Sequence, residues 1–319
     1  MFKRGLALVT TLVREQLGVP VTLRRFLQEQ TEALRTGLEI LPAGLAAGNI
    51  TCWHEWGDAW RDGGEAYGPG ELPGWKTQRN FKYKPQRQVR QDLLRLATVT
   101  RQPQWRGDIR DVAGLQANRA ELVKFDSLDV YAQTRARSHL SEITRARLNA
   151  LLSHKELRFL RRPKPAEYFL QPLWDGRIFL LNGGGSPQFA AARFIAGQIG
   201  QAVPLAGELR QCSLEPLAVS GLRRDFELFA LSTRDPQAIA GLHDALRRLR
   251  APYLWKPMPQ PHAQAQVLFL PRGDRRAQAA AAELRAAGLP DVGKHLSALV
   301  LRQHIYLVRQ REGTQAQAA

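Results

Sequence analysis

Apolar positions fall into helical spacings at the start of the chain and into short, strand-length runs further on. Over residues 1–48, Leu23, Phe26, Leu27, Leu34, Leu38 and Leu41 recur with the period of one α-helical face, which predicts a helical lead-in. From 49 to 85 this periodicity stops. Trp53, Trp56, Trp60 and Trp75 stand among glycines and prolines, and residues 68–74 read GPGELPG. Such a composition predicts irregular backbone: a lid, a flap over a site, or a disordered insert. Trp53 and Trp56 are the expected burial anchors within it.

Beyond about residue 122 strand and helix signals alternate. A strand is predicted at 128–131, a helix at 141–152 with Glu142 near its start, and a short apolar element at 157–160. After the charged, proline-containing run 161–165 comes an apolar stretch at 168–173. A strand at 177–181 then leads through a glycine loop into a helix ending near 199 and a strand at 202–206, the βαβ order of an α/β domain. Strand 226–231, helix 235–249, strand 266–270 and helix 274–287 repeat that order, with Gly288 and Pro290 stopping the last helix. One or two closing strands are predicted at 296–302 and 304–309, ahead of a polar, frayed tail. The expected fold class is α/β. Its expected parts are a helical and loop-rich extension over 1–120, a core over 121–215, and an α/β portion over 216–319 that could continue the core.

The most specific segment is 174–196, WDGRIFLLNGGGSPQFAAARFIA. Gly183, Gly184 and Gly185 let a backbone approach a ligand and take positive φ, while Ser186 is the expected N-cap with Pro187 at the first helical position. Amides left free at that helix start would face the loop, where a phosphate-sized oxyanion could sit. A tight connection without any ligand explains the glycines equally well. Asn182 is placed to cap or orient the loop. Arg177 and Arg193 supply charge in the same segment, but at the far end of the strand and well along the helix.

Charge changes the picture more than composition does. The 319 residues are 44% hydrophobic, ordinary for a globular chain, yet carry 46 Lys and Arg against 29 Asp and Glu, a formal net charge of +17. That excess predicts attraction to nucleic acid, nucleotides or an anionic membrane surface. It is dispersed over arginine clusters at 87–90, 135–137, 145–147, 158–164, 223–224, 247–250 and 272–276. Cys52 and Cys212 make neither a disulfide framework nor a four-ligand zinc site, which fits a reducing cytoplasm. His54 and Glu55 beside Cys52 lack a spaced second ligand, so no metal site is expected there. The apolar run at 5–13 is too short to span a bilayer and has no cleavage site after it; it reads as part of a first helix, and no transmembrane segment is expected.

Asp175-Gly176-Arg177, the apolar strand after it, and Asn182-Gly183-Gly184-Gly185-Ser186-Pro187-Gln188-Phe189-Ala190-Ala191-Ala192-Arg193 resemble the core motif of the ParB/sulfiredoxin-like superfamily. The resemblance covers about residues 125–210, and the wording is also similar to that of a bacterial protein family of uncharacterised activity. It implies a ParB/sulfiredoxin-like core that binds a nucleotide or phosphate, and a nucleotide is the only cofactor it suggests. The departures bear on chemistry. With Gly184-Gly185 aligned to the superfamily's glycines, the sulfiredoxin cysteine falls on Ser186, its histidine on Pro187 and its phosphate-binding arginine on Gln188, which removes the redox chemistry. The paired arginines of the ParB-type nucleotide site are likewise missing.

Three functions stand open. The first is nucleotide or phosphate binding at Asn182, Gly183, Gly184, Gly185, Ser186 and Gln188. The second is nucleic-acid binding through the arginine patches and the Trp-rich segment. The third is an enzyme with His139, Ser141, Glu142 and Ser186 acting on a phosphate ester, His139 and Glu142 sharing a helix face.

Overall fold

The computed structural model describes residues 14–38, 44–78, 82–157 and 168–318, with side chains as far as 312. The chain is α/β. Its strands are β1 (Trp60–Asp62), β2 (Glu65–Tyr67), β3 (Glu71–Thr77), β4 (Tyr83–Val89), β5 (Ala97–Asp108), β6 (Val112–Leu115), β7 (Tyr168–Pro172), β8 (Ile178–Leu180), β9 (Pro204–Leu214), β10 (Phe226–Ser232), β11 (Tyr253–Pro257) and β12 (Ala265–Pro271). The longer helices are α1 (Val21–Leu34), α2 (Leu128–Arg135), α3 (Arg145–Leu152), α4 (Ser186–Gln198), α5 (Pro216–Asp225), α6 (Pro236–Leu249), α7 (Arg275–Ala286) and α8 (Val292–Ala318).

The chain forms two interleaved compact units rather than the successive segments 1–120, 121–215 and 216–319. One is drawn from Met1–Ile40, Cys52–Leu96 and Glu215–Ala298, the other from Leu41–Thr51, Ala97–Leu214 and Leu299–Ala319.

The first unit is built on a sheet in the order β10-β12-β11-β3-β4, antiparallel throughout. On one face α1, α6 and α7 bury Leu23, Leu27, Leu242, Leu246, Ala280 and Leu284 against Phe229, Tyr253 and Leu268. Helices α6 and α7 start where Asp235 and Asp274 accept two backbone N–H bonds each, as N-caps do. Gly288 takes φ +73° beyond α7. The Trp-rich segment expected to be irregular supplies β1 to β4. Tertiary pairing overrides its glycines and prolines: Pro85 lies on the edge strand, where a missing N–H is tolerated, and Gly74 admits β11 so closely that a Cβ would lie 2.7 Å from Leu254 Cα. Trp53 and Trp56 are buried, as expected.

The second unit has the sheet order β5-β9-β7-β8-β6, with β7/β9 and β6/β8 parallel and the other pairs antiparallel. Helices α2, α3 and α4 cover it with a core that includes Leu128, Tyr131, Leu148, Phe189 and Ile195 on Phe169, Leu180 and Leu209. The expected βαβ unit is not a parallel crossover, because β7 lies between β8 and β9 and runs antiparallel to β8.

Other boundaries move for local reasons. Residues 128–131 are helical, since Ser127 Oγ accepts the Val130 N–H and starts α2. Thr144 caps α3, so that helix begins at Arg145 and not at 141. The closing strands are the single helix α8, whose buried positions Val292, His295, Leu296, Leu299 and Gln303 follow a helical period. The lead-in is helical over Val21–Leu34, and Leu38 lies past its end. The run at 5–13, Leu41, the arginine cluster 158–164 and most of 157–160 lie outside the described residues.

Candidate functional site

The glycine loop follows β8. Asn182 accepts the N–H groups of Gln116 and Ala117 at 3.1 and 3.2 Å through Oδ1, and its Nδ2 donates to Gly184 O at 2.6 Å. Ser186 Oγ donates to Ala117 O at 3.2 Å and accepts from Asn182 Nδ2 at 3.3 Å. Both polar side chains are spent on tying the loop to residues 116–117. The N-cap is Gly185 and not Ser186: a φ of +75° is available to glycine without a Cβ penalty, and Ser186, fully buried, is the first helical residue. Among the described residues, no acceptor meets the amides of Gly183, Gly184, Gly185, Ser186 or Gln188. Gly183 and Gly184 are exposed, whereas Gly185 rests against Glu156.

The enzyme candidates are not assembled. His139 lies in the turn Arg137–Leu140, held below its ordinary pKa by burial and then by Arg147. Glu142 and Ser141 are exposed ahead of α3, so His139 and Glu142 share no helix face, and buried Ser186 is bonded to neither. No nucleophile–base pair results. Arg177 is clamped by Asp175 at 2.7 Å and donates to Gly44 O, while Arg193 pairs with Asp129 and donates to Val112 O. Among the described residues, neither guanidinium bonds to the loop at 182–188. Gln188 Oε1 is buried without a partner. His54 and Glu55 approach to 3.7 Å, and among the described residues no cluster of His, Cys, Asp or Glu could hold a metal ion. Neither cysteine is in a disulfide.

A second arrangement was only partly legible in the sequence. On the first unit's sheet, Tyr67, Pro73, Trp75, Pro85, Arg87 and Trp255 line an open groove of about 410 Å³. Its rings are fixed by other rings: Trp60 stacks on Tyr67 at 4.3 Å and meets Trp255 edge-on at 5.0 Å, and Trp75 stacks on Tyr83 at 5.3 Å. Arg87 lies 4.7 Å over Tyr67 and Arg247 5.4 Å over Trp75, within cation–π range. The alternation Tyr83, Pro85, Arg87 was the period-two signal for this face, masked by its proline.

Residues 102–309 match the model of a family described as Family of unknown function (DUF6685). The chain belongs to this family. The family segment takes in the glycine loop, all of β6 to β12 and the second part of β5 from Gln102 on; β1 to β4 precede it. No curated protein and no solved structure matches the chain. Among the described residues, no helix is long and apolar enough to cross a membrane.

Proposed function

We propose that the protein binds single-stranded nucleic acid on the aromatic groove of its first unit. The observation that carries this reading is the pair of half-buried indoles, Trp75 and Trp255, on one sheet face, with the buried Tyr67 ring held beside them by Trp60. Stacking is tolerant of base identity and suits an open face of this kind. The net charge of +17 supplies the sequence-independent attraction. Arg87 is paired with Glu65 at 2.8 Å, and Lys76 and Lys84, opposite each other in the β3/β4 pairing, lie on the other face of that sheet from Trp75 and Pro85, so the attraction for phosphates is that of the net charge. Arg61, Lys76 and Lys84 are exposed and carry no ion pair among the described residues, and they add to that general attraction. Anisotropy titration with a labelled oligouridylate tests the reading. Affinity should fall steeply with added salt, and Trp75→Ala and Trp255→Ala should each cost about 1–3 kcal/mol. An affinity that neither substitution changes would refute it.

The unmet amides of Gly183, Gly184, Gly185, Ser186 and Gln188 favour a second reading, a nucleotide or phosphate at the loop. It is supported by backbone alone, with Glu156 beside Gly185 acting against an anion. The ParB/sulfiredoxin-like likeness rests on the same strand, glycine loop and helix. Thermal shifts with CTP, ATP, GTP and pyrophosphate decide it: a rise in melting temperature supports the loop site, and no shift with any of them removes it. A cytoplasmic location is part of this proposal, in keeping with two cysteines outside any disulfide.

A further inference from the structure

The second unit contains a cavity that neither reading uses, about 690 Å³ in volume, between the sheet and the C-terminal half of α8. One hydrogen-bonded chain runs along its wall. Gln102 Nε2 donates to Gln211 Oε1, Gln211 Nε2 to Gln171 Oε1, and Gln171 Nε2 to Tyr306 Oη, each at 2.7 Å. The direction of this chain follows from its chemistry. Gln171 Nε2 also donates to Gly176 O at 3.1 Å, and a carbonyl can only accept, so the Gln171 amide has one orientation. That orientation sets Gln211, which in turn sets Gln102. Aligned amides polarise one another, so the chain presents an enhanced donor at one end and an acceptor at the other. The donor is the Tyr306 O–H, whose oxygen already accepts from Gln171. The acceptor is Gln102 Oε1. Neither has a further partner among the described residues.

The rings of the cavity are held by the backbone. Residues 102 and 105 would face opposite sides of a regular strand, yet both Gln102 and Trp105 line the cavity. A register shift in β5 between these two positions turns them to the same side, as β-bulges do beside binding sites. Trp105 lies across Gly107, where any Cβ would overlap the indole, and packs on Phe169 at 4.6 Å. Tyr306 lies across Gly176, where a Cβ would come within 2.6 Å of the ring. The cation of the cavity is matched, since Asp175 clamps Arg177 through both carboxylate oxygens, and the Asp111 carboxylate on the lining, which accepts the Asp108 N–H at 2.7 Å, opposes an anion further. An anion would find no unopposed cation here. Neutral amides and a phenol, which donate and accept alike, match hydroxyl groups, and an indole suits the apolar face of a sugar ring. The volume lies within the range of small-molecule sites.

We propose that this cavity binds an uncharged saccharide, with Trp105 against a pyranose face, the Tyr306 O–H donating to a sugar oxygen and Gln102 Oε1 accepting from a sugar hydroxyl. The site is independent of the nucleic-acid and phosphate readings, so each can fail alone. The test is titration of the ¹⁵N-labelled full chain, observed at tryptophan indole and glutamine side-chain signals, with glucose, N-acetylglucosamine, maltose, cellobiose and lactose. Uncharged nucleosides form a separate arm. At least one saccharide should shift the Trp105 indole and glutamine amide signals saturably and without salt dependence. Tyr306→Phe, which keeps the ring, should weaken that binding about five- to tenfold, the worth of one hydrogen bond, with a lowered melting temperature because Gln171 loses an acceptor. Gly107→Ala should weaken it through Trp105. The proposal is overturned if no saccharide gives a saturable shift at tens of millimolar, if only nucleosides bind, or if Tyr306→Phe binds like the parent chain.

Discussion

Acidification should weaken the first unit through His295, and the size of the effect can be worked from its surroundings. The imidazole is 7% exposed on α8, with its ring centre 5.8 Å from that of Trp53 and Nδ1 buried without a partner. Burial, reinforced by His262, lowers its pKa from the ordinary 6.5 to about 4. The unfolded chain therefore takes up this proton near pH 6.5 and the folded chain only near 4, so stability is complete above the upper value and drains away as pH falls between them. From pH 7.5 to pH 5 the loss is about 2 kcal/mol. His243, also lowered to about 4 by burial and then by Arg247, acts in the same direction. Urea unfolding followed by tryptophan fluorescence at the two pH values measures the total. His295→Phe removes the titrating group and the orphaned nitrogen while filling similar space beside Trp53, so its acid-induced loss should be smaller than the parent's by that same amount. Equal losses in parent and variant would refute the assignment.

Gly74→Ala should separate β3 from β11, since its Cβ would collide with the Tyr253 carbonyl; a loss of about 3 kcal/mol or more in chemical unfolding is expected, and parental stability would show that the strands do not approach so closely. Asn182→Ala should cost about 2–3 kcal/mol, because the Gln116 and Ala117 amides lose their acceptor, and calorimetry checks this. Ser186→Ala should act on stability alone, by about 1 kcal/mol; abolition of a phosphatase or esterase activity measured in the parent would contradict the sealed environment of its hydroxyl. Raising the pH from 8 toward 10 should stabilise the first unit through Lys256, whose pKa burial lowers to about 8, because the unfolded chain then holds a proton that the folded chain has released; a flat profile over this window in urea unfolding would exclude it.

Much of the architecture is local in origin and could be read from the residues. Asp235 and Asp274 cap their helices, Gly288 stops α7, and apolar runs form β10 and β12, because each of these depends only on neighbours within a few positions. The same holds for the strand, glycine loop and helix at 178–198. What the loop's side chains do is not local. Ser186 carries the cap-forming hydroxyl, yet it donates its hydrogen bond to the distant Ala117 carbonyl and Gly185 assumes the cap. Strand pairing decided the rest: β3 and β4 hold prolines and a glycine that local preference assigns to loops, and cross-strand contacts outweigh that preference. The Gln102–Gln211–Gln171–Tyr306 chain joins four elements far apart in sequence, and a register shift turns Trp105 toward it. Periodicity along one chain reports which residues share a face, but only the packed sheet decides which faces meet and which hydrogen-bonding groups remain for a ligand.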